Sequence, residues 1–174
     1  RVHPVMLPQE TPLAKVEGAF NAIEVQGDLV GSVVFSGLGA GAWPTTSAIL
    51  GDVLDLARHQ ADQGPEDPHG SARQFLLDRD LVIKPMASLI TRYYLRLNVL
   101  DRPGVLAQIA QVLGDQEISI ASVIQKDADP SAGTAEIVIT THPAQEAAIQ
   151  QASGRCQQLE IVKEGYNLIR IEAD

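Results

Sequence analysis

The chain has 174 residues, with 22 acidic against 13 basic side chains and a formal charge of −9, a balance that argues against nucleic acid or an anionic membrane as partner. No run approaches the ~18 apolar residues that cross a bilayer, and nothing at the start resembles a signal peptide. Cys156 is the only cysteine, which excludes an internal disulfide or a thiolate metal cluster, and the expected compartment is the cytosol. The length fits one domain or two small ones. Because the first residue is Arg1 and not Met, a piece of a longer polypeptide is expected.

Residues Arg1 to Pro8 alternate imperfectly and read as a short strand. The runs Gly18–Val25 and Leu29–Ser36 flank Gln26-Gly27-Asp28, a turn-forming cluster, and predict a β-hairpin. After the second strand comes Gly37-Leu38-Gly39-Ala40-Gly41-Ala42-Trp43. A helix is then expected from about Pro44, where a missing N–H costs nothing, with Ile49, Val53, Leu56 and Ala57 at helical spacing.

The glycine loop admits three readings. Gly37-x-Gly39-x-x-Ala42 formally fits the dinucleotide fingerprint. A self-contained site needs a further strand ending in an acid roughly 20 residues on, and Ala61-Asp62-Gln63-Gly64-Pro65 reads as loop instead. The glycines can also simply let a strand turn closely into a helix. In the third reading, bare backbone approaches a phosphate or nicotinamide held mainly by another domain.

Gln60 to Arg73, rich in Gly, Pro, Asp and His, reads as a surface loop or linker. Phe75 to Met86 fits either a strand or a lead-in between domains.

Tyr93 to Leu100 alternates as a half-buried strand and ends in Asp101-Arg102-Pro103-Gly104. Val105, Leu106, Ile109, Ala110, Val112 and Leu113 share one face of the helix that follows, closed by Gly114. Ile118–Gln125 and Thr134–Thr141 read as strands, with a turn over Asp127–Gly133. Pro143 opens a second helix through Ala152, closed by Ser153-Gly154. Leu159–Val162 reads as the fourth strand, and Tyr166–Ile171 as an added edge strand or one that crosses to a partner. The order βαββαβ is that of a ferredoxin-like split unit.

The Asp-x-Pro-Gly turn is the most informative feature. A strand that turns sharply into a helix exposes backbone N–H groups with little side chain in the way, a place for a small anion such as an amino-acid carboxylate. Asp101 reads as lying at or beside the N-cap, and Gly104 as removing a Cβ that would block a ligand or neighbouring strand.

Other candidates are weak. His3, His59, His69 and His142 show no metal-ligand spacing. Asp52 and Asp55 read as exposed helix acids, Cys156 as a half-buried inert thiol, and Ser47 has no recognisable base.

Leu100-Asp101-Arg102-Pro103-Gly104-Val105-Leu106 in this order of elements resembles the ACT domain, an amino-acid-binding regulatory module, over Tyr93 to about Ile171. In that family effectors lie where one module's turn meets the second strand of a paired module. The resemblance therefore implies Asp101, Arg102, Pro103, Gly104, Val105 and Leu106, with Ser119, Ala121, Ser122, Val123 and Gln125, as effector-binding. A module that only mediates pairing is the alternative.

Both halves together resemble the C-terminal part of bacterial homoserine dehydrogenase. The motifs are Pro12-Leu13-Ala14-x-Val16-x-Gly18-x-x-Asn21-Ala22-Ile23-x-Val25, Gly39-Ala40-Gly41-x-x-Pro44-Thr45-x-Ser47-Ala48, and a helix carrying Gly51-Asp52. The resemblance implies an α+β chain. Residues 1–73 would be the end of an α/β substrate/dimerisation domain, residues 74–92 a connector, and residues 93–174 a ferredoxin-like ACT domain. It further implies hydride transfer between NAD(P)H and aspartate semialdehyde in a parent enzyme, with L-threonine as effector, homo-oligomers through ACT pairing and the rest of the same polypeptide as partners. Gly39, Ala40 and Gly41, with Thr45 and Thr46, would face the coenzyme, either NAD or NADP. Leu38 departs from the family's usual residue and takes no role. The Rossmann domain and the segment with the catalytic Lys precede this region in the family. Lys15 and Lys84 do not stand in that Lys's context, so this piece alone is expected to be inactive and to bind no coenzyme tightly. The rival readings are a free-standing amino-acid-binding regulator and a purely structural pairing module.

Overall fold

A computed structural model describes residues 2–62, 82–126 and 128–172. The elements in chain order are β1 (Val5–Met6), β2 (Phe20–Gly27), β3 (Gly31–Leu38), α1 (Ala42–Asp62), β4 (Ile90–Leu100), α2 (Val105–Gly114), β5 (Ile120–Gln125), β6 (Thr134–Thr141), β7 (Ala144–Gln145), α3 (Glu146–Gln157) and β8 (Asn167–Ile171). Short 3₁₀ turns stand at Leu13–Lys15 and Met86–Ser88. The chain divides into two units, Arg1–Pro8 with Ile83–Asp174, and Gln9–Val82.

In the second of these, β2 and β3 form an antiparallel hairpin whose ladder runs from Phe20↔Leu38 to Gly27↔Gly31. The turn sits at Asp28, Leu29 and Val30, two residues beyond the start expected from the sequence. Leu29 N–H donates to Asp28 Oδ1 (2.8 Å), and Gly31 supplies the positive φ of +73° that closes a three-residue loop. Leu29 and Val30 are consequently exposed and do not belong to a strand. α1 begins two residues before Pro44 and runs on through Asp62, so Gln60–Asp62 is helix and not loop. The rest of the expected linker, residues 63–73, lies outside the described residues, as does most of Phe75–Met86. None of the described residues of this unit is buried.

The other unit is built around one sheet of order β1-β8-β4-β6-β5, antiparallel except for the parallel β1–β8 edge, with β7 pairing the start of β4. Tyr93, Leu95, Leu97 and Val99 alternate onto one face of β4, as the sequence pattern requires, and Ile137 and Ile139 stand beside them on β6. These bury completely against Val105, Ile109 and Leu113 of α2 and Ile149, Ala152 and Cys156 of α3. Cys156 is fully buried, not half-buried, and burial pushes its thiol up to about 11.

Two elements differ from the sequence reading. α3 opens at Glu146, after the short strand β7, and passes through Ser153-Gly154 to Gln157; burial of Ala152, Ser153 and Cys156 against the sheet overrides the weak helix propensity there. The fourth ferredoxin strand is β8, not Leu159–Val162. Val162 makes one bridge to Val99, Gly165 at φ +102° breaks the path, and pairing with β4 resumes at Arg96↔Asn167.

The buried polar cluster at the start of α3 fixes this arrangement. Glu146 is almost wholly buried and accepts hydrogen bonds from Tyr93 Oη (2.9 Å), Gln150 Nε2 (2.8 Å) and Arg170 Nε (2.8 Å), with a second contact from Arg170 Nη2. Burial alone would raise its carboxyl. The donors of Arg170, Gln150 and Tyr93 outweigh that and hold it below the usual carboxylate range.

Candidate functional site

The Asp-x-Pro-Gly turn leaves β4 at Leu100 and enters α2 at Val105. Asp101 N–H donates to Gly133 O (3.0 Å) and Arg102 N–H to Leu100 O (3.1 Å), which pins the turn to the β5–β6 connection. The N-cap is Gly104 at φ +86°, with no side-chain cap, and its carbonyl accepts the first helical bond from Gln108 N–H (3.2 Å). Asp101 is therefore not the capping residue. A Cβ placed on Gly104 would meet nothing within 4 Å. Within the chain the position requires glycine for its left-handed torsion.

The first four N–H groups of a helix lack intrahelical partners. Here they belong to residues 104–107 and carry the positive end of the α2 dipole. Gly104, Val105 and Leu106 of this set border a cavity of about 170 Å³ lined by residues 99–106, with Gln125 from β5 and Ile137 from β6. Asp101, Arg102, Pro103, Gly104 and Leu106 are exposed. Val105 has its side chain in the core and offers only its amide. The structure therefore brings together the whole turn set and Gln125. Ser119, just before β5, and Ala121, Ser122 and Val123 along it are exposed but do not line this cavity. Ser119 accepts from His142 N–H through its carbonyl (2.9 Å), and the Ser122 hydroxyl bonds that of Thr140 (2.7 Å). Sequence reasoning missed Gly133 and Ile137. Gly133 lies in the recognised turn, but nothing local signals that its carbonyl holds Asp101.

In the other unit, the glycine loop joins β3 to α1. Gly39 N–H donates to Ala19 O (3.0 Å), Gly41 adopts φ +124°, and Thr45 N–H donates to Gly41 O (3.1 Å). Gly39, Ala40, Gly41, Thr45 and Thr46 are all exposed. The Thr46 hydroxyl donates to Ala42 O within its own helix (2.7 Å), leaving it only as an acceptor toward anything outside. Asp55 pairs with Arg58 at the surface of α1 (3.5 Å). Among the described residues no group of three or more His, Cys, Asp or Glu side chains is placed to hold a metal, and no helix is long and apolar enough to cross a membrane.

Two family models match different parts of the chain. Residues 1–54 match the family model described as homoserine dehydrogenase, and residues 93–152 match that of the ACT domain. A homoserine dehydrogenase of Neisseria gonorrhoeae is 38% identical over 99% of this chain and 40% of its own length. One of Pseudomonas aeruginosa is 37% identical with the same coverage. The crystal structure of a homoserine dehydrogenase from Thiobacillus denitrificans superposes with a TM-score of 0.75 at 39% identity, covering 99% of this chain and 38% of that one. Fold and turn define an ACT regulatory module, a class of ligand-binding and oligomerising domain, carried behind a piece of a dehydrogenase. Along 99% of its length the chain is similar to a C-terminal segment of homoserine dehydrogenases, and it spans about 40% of the length of the curated relatives it matches.

Proposed function

We propose that this segment is the threonine-responsive part of a cytoplasmic homoserine dehydrogenase, an enzyme that interconverts aspartate semialdehyde and homoserine with NADP or NAD. One observation carries the reading: the start of α2, at Gly104, Val105 and Leu106, borders a small cavity with Gln125 beside it. The carboxylate of L-threonine suits the amides there and the α2 dipole. The Gln125 carboxamide suits the ligand's amino or hydroxyl group, since it both donates and accepts. Ser119 stands just before the outer strand β5 and Ala121, Ser122 and Val123 lie along it, where a second module would bring them to the turn and so make a homo-oligomer by sheet pairing.

The glycine loop fits a secondary contact to the coenzyme. Its backbone is exposed, Gly39 and Gly41 carry no side chain, and the loop feeds the start of a long helix. The nicotinamide, when bound, supplies the hydride. The contribution of this chain is to present Gly39, Ala40, Gly41 and the first turn of α1, including Thr45 and Thr46, to it. The remaining parts of the polypeptide supply the Rossmann domain and the catalytic Lys, and the segment alone is inactive.

Titrating L-threonine into the isotopically labelled chain should shift the amide resonances of residues 104–107. Gln125→Ala should weaken binding about tenfold, the equivalent of one hydrogen bond of about 1.4 kcal/mol, without changing the melting temperature. Unmoved amides at the α2 start would refute the placement.

A further inference from the structure

We propose that Asn21 is the residue that sets the shape of the glycine loop, and that it acts as a positioning residue for coenzyme binding. This rests on the reading of that loop as a coenzyme contact.

Asn21 lies on β2 directly opposite Gly37. Side chains alternate across a strand, so Gly37 and Gly39 share the face onto which Asn21 projects. A Cβ placed on Gly37 would meet nothing within 4 Å, so the space directly across from Asn21 is left open. A Cβ placed on Gly39 would fall 1.6 Å from Asn21 Nδ2, 2.5 Å from its Cγ and 3.0 Å from its Oδ1. The carboxamide therefore occupies the place of a side chain at residue 39. The diagonal reach across the hairpin is the ordinary one for i, j+2 neighbours.

The backbone here is tied to the same strand. Gly39 N–H donates to Ala19 O (3.0 Å), two residues before Asn21. One hydrogen bond and one carboxamide thus hold Gly39 from β2, immediately before the chain swings through Gly41 at φ +124° into α1. The two alternate glycines do more than permit a tight turn: they make room for a polar group from the neighbouring strand.

The obstacle to a side chain at position 39 is the end of a flexible side chain, not backbone. Gly39→Ala should consequently fold, and it should act by expelling the Asn21 carboxamide. Removing the carboxamide itself, with Asn21→Ala, should give the same defect. The double variant should then be no worse than either single one, the signature of two residues acting through one contact.

The test is steady-state kinetics of the full-length polypeptide that carries this segment, with both nicotinamide coenzymes, alongside melting temperatures. Expected for Asn21→Ala, Gly39→Ala and the double variant is a rise in coenzyme KM of about tenfold, with kcat within about twofold and unchanged melting, the pattern of a displaced binding surface. Additive effects in the double variant would overturn the proposal. So would a fall in melting temperature and kcat at constant KM, which marks a purely structural role. Gly41→Val, which strains the loop at φ +124° outside the Asn21–Gly39 contact, separates the two levels. If Gly41→Val raises coenzyme KM and Asn21→Ala does not, Asn21 has no part in a loop that still contacts coenzyme. If neither changes KM, the loop is not a coenzyme contact and both readings fall.

Discussion

At the scale of single residues, the Glu146–Arg170 pair shows how charge is tolerated inside this module. Glu146 is almost entirely buried, while the Arg170 side chain keeps 20% of its surface exposed. Both carboxylate oxygens are occupied by donors from three separate elements, β4, α3 and β8. Glu146→Gln removes the negative charge and leaves the Arg170 guanidinium half-satisfied, which should cost about 3 kcal/mol of unfolding free energy in denaturant titration. The pH dependence has a definite sign. The folded carboxyl lies below its ordinary value of 4.5, so its stabilisation is fully present above that value. It is lost as pH falls through the lowered folded pKa. As pH falls below about 4.5 the wild-type chain should lose stability that Glu146→Gln has already lost, and the two curves should converge in acid. Parallel curves would show that the pair does not act as described. None of this was legible in the sequence, because Tyr93, Glu146 and Arg170 are far apart in the chain and meet only through the β4–β8 pairing. Gly104 is a subtler case: its importance was visible in the Asp-x-Pro-Gly motif, and its left-handed torsion, which demands glycine, was not.

At the scale of elements, alternation and turn chemistry located α2 and β6 almost to the residue and the end of β4, which begins three residues before the expected Tyr93. They failed where tertiary contacts decide. Leu159–Val162 alternates like a strand, and Ile161 is indeed buried, yet only Val162 bridges to β4 before Gly165 interrupts the path. Ser153-Gly154 has the composition of a helix end, yet α3 passes through it, because its buried face continues to Cys156. These two glycines should respond oppositely to the same change. Gly165→Ala forces a Cβ onto φ +102° and should destabilise by about 1–3 kcal/mol. Gly154→Ala adds a Cβ to a helix interior with nothing within 4 Å and should stabilise by about 0.5–1 kcal/mol. Equal effects on the melting temperature would contradict this account of β8 and α3. In the glycine loop, the pattern Gly37-x-Gly39 drew notice as a fingerprint, but its partner Asn21 stands 16 positions earlier on a paired strand, beyond the reach of any local pattern.

At the scale of the whole chain, the two units differ in how far they satisfy themselves. The ACT module closes a core of its own. The hairpin and α1 leave Ile23, Phe35, Ile49, Val53 and Leu56 each more than half exposed. Apolar surface of that extent is characteristic of faces meant to be covered, in keeping with a chain that spans about 40% of its curated relatives. The regulatory half is the part that can be interrogated by itself, and its claim is that the turn between β4 and α2 is an amino-acid sensor. Isothermal titration of the purified chain with L-threonine, using L-aspartate, L-lysine and NADPH as controls, addresses that claim most directly. A saturable threonine signal at roughly one per module or one per pair, absent with the controls, is the predicted result. A folded, paired chain that gives no heat with threonine would contradict it and leave the module as an assembly element.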